Sequence, residues 1–431
     1  MPPKYVYGID FGTSNSGVSI WNNETKALVE HPSIQEAEPT LLYFPDAEII
    51  GRHHTKVLLG KDAITNYVGD NMQGRLLQSI KTFLPDKSFT ETKINGKEYT
   101  IEELAAFVIR HLKRKADSVT GENVKVAVMG RPAVFHEDAG RDRLAQERLE
   151  SAARQAGFEK VYFQYEPIAA AFAYEQSIQT PQTALVGDFG GGTSDFAILK
   201  LDPEKRTTAN RLSDVLASGG VSVAGNALDS AVMWEKVTPV LGRGAVYKDH
   251  PNDPGIEVPN SIFWDMCHWE RYAFLWGDKR TMDWMWRYSK LSDKPKGFEM
   301  SYALIKHNCG FALFRAIEKA KIALAREDSA RIAFAKREIE INIPLDIAGF
   351  DAATAAKLEP VSKALEQTVA KSGITASGIS SVFLTGGTSR VRSIRRMLER
   401  QFGAGKIHSG DDFMSVSKGL ALSTPVFLGR E

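Results

Sequence analysis

One strand-turn-strand pattern occurs twice in this chain. Tyr5-Val-Tyr-Gly-Ile-Asp10-Phe-Gly-Thr-Ser14 is echoed by Ala184-Leu-Val-Gly-Asp188-Phe-Gly-Gly-Gly-Thr193-Ser194, and each copy runs into a second apolar stretch, 17–21 and 196–201. An internal repeat of whole supersecondary units constrains the architecture more than any composition does. The copies are far enough apart for each to nucleate its own lobe, and 431 residues exceed what one core organises. The expected fold is α/β, with two related lobes facing each other across a cleft.

Other patterns fill in the lobes. Helical spacing covers 101–118, a buried strand 124–129, an Ala- and Arg-rich helix 142–157 ending at Gly157, and a further strand 161–164. Glu166-Pro-Ile-Ala-Ala-Ala-Phe-Ala-Tyr174 places helix formers after an early proline, so 168–176 reads as an interlobe helix. A peripheral segment of about 228–337 follows the second hairpin, and strand and helix signals return at 338–343 and 382–402. The expected division is lobe I at 1–180, with a peripheral insert of about 36–104, and lobe II at 181–431, with an inserted subdomain of about 228–337. Six of the seven tryptophans fall in that second insert, between Trp234 and Trp286. Aromatic packing of a compact insert and an exposed docking surface both account for them.

Charge and cysteine content exclude several classes. Lys plus Arg total 54 and Asp plus Glu 53, so no broad basic field recruits nucleic acid or an anionic membrane. Cys267 and Cys309 cannot build a disulfide framework, which points to a reducing, cytoplasmic setting. No signal-peptide pattern opens the sequence and no apolar run approaches the length of a spanning helix, so a soluble, unexported protein is expected. Cys267-His268 and His307-Asn-Cys309 have poor chelate spacing for zinc and read as packed side chains. The arginines at 390, 392, 395, 396 and 400 read as a solvated helix face.

The repeated turns carry chemistry. Gly12, Thr13, Ser14 and Asn15 in the first, and Gly190, Gly191, Gly192 and Thr193 in the second, put small residues where backbone N–H groups can close on phosphate oxygens. Asp10 and Asp188 stand at the strand ends, placed to hold Mg²⁺ through its waters. One such turn is ordinarily only a turn; two matched copies facing one cleft are a site. The pattern is neither a Walker loop nor a dinucleotide fingerprint, because no Gly-Lys-Ser/Thr follows and each turn leads into a strand. A third element, Val382-Phe-Leu-Thr-Gly386-Gly387-Thr388-Ser-Arg390-Val391, joins a buried strand to a helix. Its glycines let a flat ligand approach, and Arg390 can stack on or bond to a base.

With these loops in this order, the sequence resembles the nucleotide-binding domain of the DnaK-like, seventy-kilodalton heat-shock chaperones, within the actin and sugar-kinase superfamily. Gln78-Ser-Ile-Lys81-Thr-Phe-Leu is similar to the family's segment bearing the catalytic lysine. Glu166-Pro167-Ile-Ala-Ala-Ala is similar to its connecting motif, Gly225-Asn-Ala-Leu-Asp229 to its Gly-Glu-Asp-Phe-Asp, and Glu318-Lys-Ala-Lys321 to the helix that clasps adenosine. The resemblance implies an actin-like ATPase fold that takes ATP or ADP with Mg²⁺. Lys81 would act on the γ-phosphate, Glu166 and Asp195 on the attacking water, Thr13 and Thr193 on phosphates, and Gly225, Glu318 and Lys321 at the adenosine.

Departures from the family pattern are Ile322, where the family has an arginine beside the purine, and Ala325, where it has a serine that bonds the base. The sequence ends soon after Gly419, without room for the family's linker and peptide-binding domain, as in the YegD-like group. The implied function is a slowly hydrolysing, monomeric ATP switch with a client or co-chaperone partner. A metabolite kinase of the same fold and an actin-like filament protein are the alternatives.

Overall fold

The computed structural model describes residues 2–429, apart from positions 54, 207, 209–210, 251, 269–270, 273–274, 276–277 and 411–413. Its two main sheets have the same plan. In the first lobe the order is Lys160–Tyr165, Val126–Arg131, Tyr5–Asp10, Asn15–Asn22 and Ala27–Leu28, with Glu38–Pro39 also paired to Asn15–Asn22. In the second the order is Ile407–Ser409, Ser381–Thr385, Gln182–Phe189, Ser194–Leu201 and Val215–Val221. Each central strand pairs antiparallel with its hairpin partner and parallel with the strand on its other side. The registers Asp10↔Gly17 and Asp188↔Asp195 put both aspartates beside their turns. Helices cover both faces of these sheets, which is why the central strands are near-continuous apolar runs.

Helix boundaries follow local chemistry. Ile101–Thr120 starts with a capping box between Thr100 and Glu103 and ends at Gly121, whose φ is +70°. Ala139–Ala156 begins earlier than its apolar pattern suggests, because Asp138 accepts a hydrogen bond from the Arg141 N–H. Glu166–Glu175 and its counterpart Ser415–Leu422 cross between the lobes. A Cβ on Gly419 would lie 1.7 Å from the Ala169 carbonyl oxygen, so only glycine permits this crossing. Ile168, Ala170, Val186, Phe383 and Leu420 share one core there, drawn from both lobes.

A strand is present where one was expected at 338–343, and it stands apart from the second lobe's main sheet. It is part of Ile339–Asp346, which forms a separate antiparallel hairpin with Ser329–Lys336. Ile332, Ile339, Ile341 and Leu345 are buried while alternate residues face outward, so these strands have one apolar face and pack it on the neighbouring helices. The hairpin therefore straddles the expected edge of the insert at 337.

Among the described residues the core of the second peripheral segment is built from Met233, Val237, Leu241, Phe263, Met266, Met285 and Phe298, with Trp234 packed against its edge. Trp234 is half-buried, edge-on to Trp264 and under Arg243, whereas Trp264, Trp284 and Trp286 are 49%, 38% and 59% exposed. Trp269 and Trp276 lie outside the described residues. Cys267 and Cys309 are buried and unpaired with each other, and no metal-holding group of three His, Cys, Asp or Glu occurs among the described residues. No helix among them is long and apolar enough to cross a membrane.

Candidate functional site

The two glycine turns meet tip to tip. A Cβ on Gly191 would lie 2.1 Å from Ser14 Oγ, and one on Gly192 would lie 2.7 Å from Thr13 Oγ1. The third loop is tied to the second turn by Thr388 Oγ1, which donates to the Gly190 carbonyl at 2.8 Å, and the Gly225 segment is tied to the same turn by the Asn226 N–H, which donates to the Gly191 carbonyl at 2.8 Å. Gly386 has φ +79°, and a Cβ there would meet the Phe189 carbonyl oxygen at 2.3 Å. Backbone is thereby held close to a cleft of about 610 Å³ that reaches from Asp10 to Arg326.

Charge is concentrated on the cleft floor. Lys81, in the 3₁₀ turn Ile80–Phe83, and Glu166, the first residue of the interlobe helix, are both buried and joined at 2.6 Å. Lys81 is therefore no ordinary surface lysine. Glu166 also sits at the positive end of its helix, where a carboxylate is favoured. Asp195 is buried behind the pair. Its Oδ1 accepts from the Ala133 N–H at 2.7 Å, while its Oδ2 has no protein partner.

Loss of hydration is the main cause that raises these carboxyls, followed by the neighbouring Glu166 charge. Asp188 is pushed up to about 8, opposed by Lys81, and Asp195 to about 7, opposed by hydrogen bonds from the Thr193 side chain and the Ala133 N–H and then by Lys81. Asp10 is likewise raised well above the usual carboxylate range by burial and Glu166, Lys81 again opposing. Burial works against the charged form of Lys81, but Glu166, Asp10 and Asp195 together hold its pKa above the ordinary value. Four carboxyls share one ammonium here, so the floor ionises fully only when further positive charge enters it. Asp10 and Asp188 turn carboxyl oxygens to the cleft, the donor chemistry that a hard cation retaining its waters would ask for.

Farther along, Lys321 Nζ and Asp229 Oδ2 pair at 2.7 Å, and burial pushes Asp229 up to about 6 even with that lysine beside it. Asp229 Oδ1 has no protein partner. Glu318 and Lys321 share the helix Gly310–Ala323, and Glu318 is ion-paired to Arg315. Ile322 is 60% exposed on the cleft rim, with Ala325, Arg390 and Val391 also lining this end.

The expected residues thus converge. Asp10, Gly12, Thr13, Ser14, Asn15, Lys81, Glu166, Asp188, Gly190, Gly191, Thr193, Gly225, Glu318, Lys321, Gly386, Gly387, Thr388 and Arg390 all line one cleft. Gly192 stands against Thr13, and Asp195 lies behind the wall. Asn226 was not singled out by the sequence. Its Nδ2 donates to Ser79 Oγ at 3.0 Å, a bond from the second lobe to the segment that carries Lys81. Only its place beside Gly225 hinted at that.

The Hsp70 protein family model matches residues 6–210 and 306–431. The chain belongs to the Hsp70 family. Its two-lobed α/β architecture is the family's actin-like ATPase fold. Chaperone protein DnaK of Mycoplasmopsis synoviae (strain 53) is 26% identical over 440 residues, covering 100% of this chain and 60% of that protein. Chaperone protein DnaK of Mycoplasmopsis pulmonis (strain UAB CTIP) is 26% identical over 438 residues, covering 100% of this chain and 59% of its own length. The chain therefore spans about 60% of the length of these relatives. The stretch that the Hsp70 model leaves unmatched, 211–305, is the one that carries six of the seven tryptophans.

Proposed function

We propose that this Hsp70-family chain binds ATP and ADP with Mg²⁺ in its interlobe cleft and hydrolyses ATP slowly, as a chaperone-like switch in the cytoplasm. The buried Lys81–Glu166 pair, on a floor shared with Asp10, Asp188 and Asp195, is the observation that carries this reading. Phosphoryl transfer spreads charge over the phosphoryl oxygens and asks for positioned donors and cations more than for covalent chemistry. Lys81 supplies the cation aimed at the γ-phosphate. The backbone of 12–15 and 190–193 supplies donors, with the Thr13 and Thr193 hydroxyls beside them. Glu166 and Asp195 orient a water and accept its proton, and the unpartnered Asp195 Oδ2 supports that role.

Asp10 and Asp188 would hold Mg²⁺ through water, and the ion would neutralise charge on the phosphates. Gly225, Glu318, Lys321, Gly386, Gly387, Thr388 and Arg390 would take the nucleoside. A nucleotide-dependent change in lobe closure would be read by a client or co-chaperone protein, with this chain acting as a monomer.

Titration calorimetry with ADP and ATP, each with and without Mg²⁺, tests the proposal. Binding that requires Mg²⁺ is expected. Saturation that is indifferent to the cation, or no binding at millimolar nucleotide, would overturn it.

A further inference from the structure

Asn226 joins the second glycine turn to the first-lobe segment that leads into Lys81. Its backbone N–H donates to the Gly191 carbonyl at 2.8 Å, its Oδ1 would stand 3.3 Å from a Cβ added to Gly191, and its Nδ2 donates to Ser79 Oγ at 3.0 Å. Ser79 is fully buried and holds a left-handed backbone, φ +50° and ψ +34°, between the strand Arg75–Gln78 and the 3₁₀ turn Ile80–Phe83. A residue with a Cβ rarely adopts that conformation, and it persists only where the surroundings impose it. Within its own lobe the Ser79 carbonyl accepts from the Thr82 N–H at 2.9 Å and from Thr82 Oγ1 at 2.7 Å. Asn226 adds a bond to the Ser79 side chain from the other lobe.

We propose that Asn226 is a positioning residue for hydrolysis: by pinning Ser79 in its strained backbone, it sets Lys81 in register with the glycine turn that takes the phosphates. The inference rests on the nucleotide reading above and adds the residue that registers its two halves. Lys81 follows Ser79 by two residues, so a change of backbone at Ser79 swings the ammonium away from Glu166, which it meets at 2.6 Å. The donors of the second turn and the cation come from opposite lobes, and transfer needs both around one phosphoryl group. Asn226 links these two parts directly. Its amide also suits the place, because it gives a hydrogen bond without adding charge to a floor where four carboxyls already share one ammonium. What the bond fixes is a backbone turn that carries the catalytic cation, so its loss belongs to the chemical step rather than to the binding of nucleotide.

Single-turnover hydrolysis of ATP in Mg²⁺ buffer, set beside ADP affinity by calorimetry, tests the assignment. Asn226→Leu should slow the single-turnover rate about tenfold, with ADP affinity within about twofold of the parent's. Glycine takes a left-handed backbone without strain, whereas alanine keeps the strain and lacks the hydroxyl. Ser79→Ala should therefore slow hydrolysis as Asn226→Leu does, Ser79→Gly should stay within about threefold of the parent, and adding Asn226→Leu to Ser79→Gly should change nothing further. Parental hydrolysis in Asn226→Leu, a loss of ADP affinity as large as the loss of rate, or equal rates in Ser79→Ala and Ser79→Gly would overturn the proposal. Hydrogen exchange of the ligand-free protein reads the same contact without nucleotide. Asn226→Leu should speed exchange at the Thr82 and Leu84 N–H groups, which bond the Ser79 and Lys81 carbonyls, and parental protection there would also overturn it. If Ser79→Ala fails to fold, the Asn226→Leu and Ser79→Gly rates and the exchange decide. A parent that binds no ATP would instead sink the nucleotide reading and the hydrolytic role with it, while exchange still reports the contact.

Discussion

Removing the ammonium of Lys81 should separate the two things it does. With Lys81→Met, Glu166 loses a partner 2.6 Å away and remains buried beside Asp10, Asp188 and Asp195. Breaking a buried pair by deleting one member costs about 3–5 kcal/mol, and the cleft-side exposure of Asp10 and Asp188 puts the expected loss near about 3 kcal/mol. The sign of its pH dependence follows from the carboxyls. Their folded pKa values are already raised, and loss of the cation raises them further, so this part of the penalty sets in near about pH 7 to about pH 8, grows as pH rises beyond that, and shrinks as the floor takes up protons on acidification. Lys81→Met/Glu166→Gln removes both charges and should regain about 1–2 kcal/mol of the loss.

Urea unfolding followed by circular dichroism and by fluorescence measures both quantities, and ATP turnover of the same proteins measures the chemistry. Turnover should fall to background in Lys81→Met, while ADP affinity stays within about threefold, because the ammonium acts on charge that develops during transfer. A double variant that costs the sum of its two singles would refute the coupling. A Lys81→Met protein that hydrolyses ATP like the parent would refute the assignment.

Gly419→Ala should lower stability by more than about 3 kcal/mol and weaken ADP binding together, because its new methyl would run into the Ala169 carbonyl and splay the crossing helices. A thermal midpoint and ADP affinity equal to the parent's would show that the crossing is not tight. Nucleotide affinity in Mg²⁺ should rise as pH increases through about 8, with protons released on binding, because the raised Asp188, and Asp10 beside it, must ionise to meet the cation. Calorimetry in buffers of different ionisation enthalpy reads the released protons, and none at neutral pH would contradict the shifts. Ile322→Arg, at an exposed position on the cleft rim, should tighten ADP binding about fivefold by offering a cation to the base face. Unchanged affinity would mean that the base does not lie against that position.

The glycine turns were legible because their requirements are local. A strand buried on both faces, a turn without side chains and a returning strand leave the same trace wherever they occur, so two copies announce two lobes. The capped helix Ile101–Thr120 was legible for a similar reason. Ser329–Lys336 was not, since Ile332 is its one fully buried apolar residue and alanines occupy much of the rest. The helix Ile347–Lys371 also escaped notice, with Pro360 in its interior and alanines filling its pattern. Contacts between lobes left little trace in local sequence: the Asn226–Ser79 bond and the Tyr67–Phe311 rings join residues far apart in the chain, and only the place of Asn226 beside Gly225 pointed to either. The exposure of Trp264, Trp284 and Trp286 belongs to the same class, because it depends on which other residues occupy the core.

The two ends of the cleft answer differently to substitution because they are made of different material. At the phosphate end the shape is set by backbone: Gly12 against the Asn15 carbonyl, Gly191 against Ser14, and Gly386 against the Phe189 carbonyl leave no room for a side chain to be added. At the nucleoside end the shape is set by side chains on one helix and one loop, Glu318, Lys321 and Ile322 facing Arg390 and Val391. A chain can therefore exchange residues at the second end, as at Ile322 and Ala325, and alter how firmly a base is held while the machinery around the phosphates keeps its form. Lys81 stands outside this division. It works by charge rather than by shape, and Glu166, Asp10 and Asp195 together favour that charge against the cost of burial.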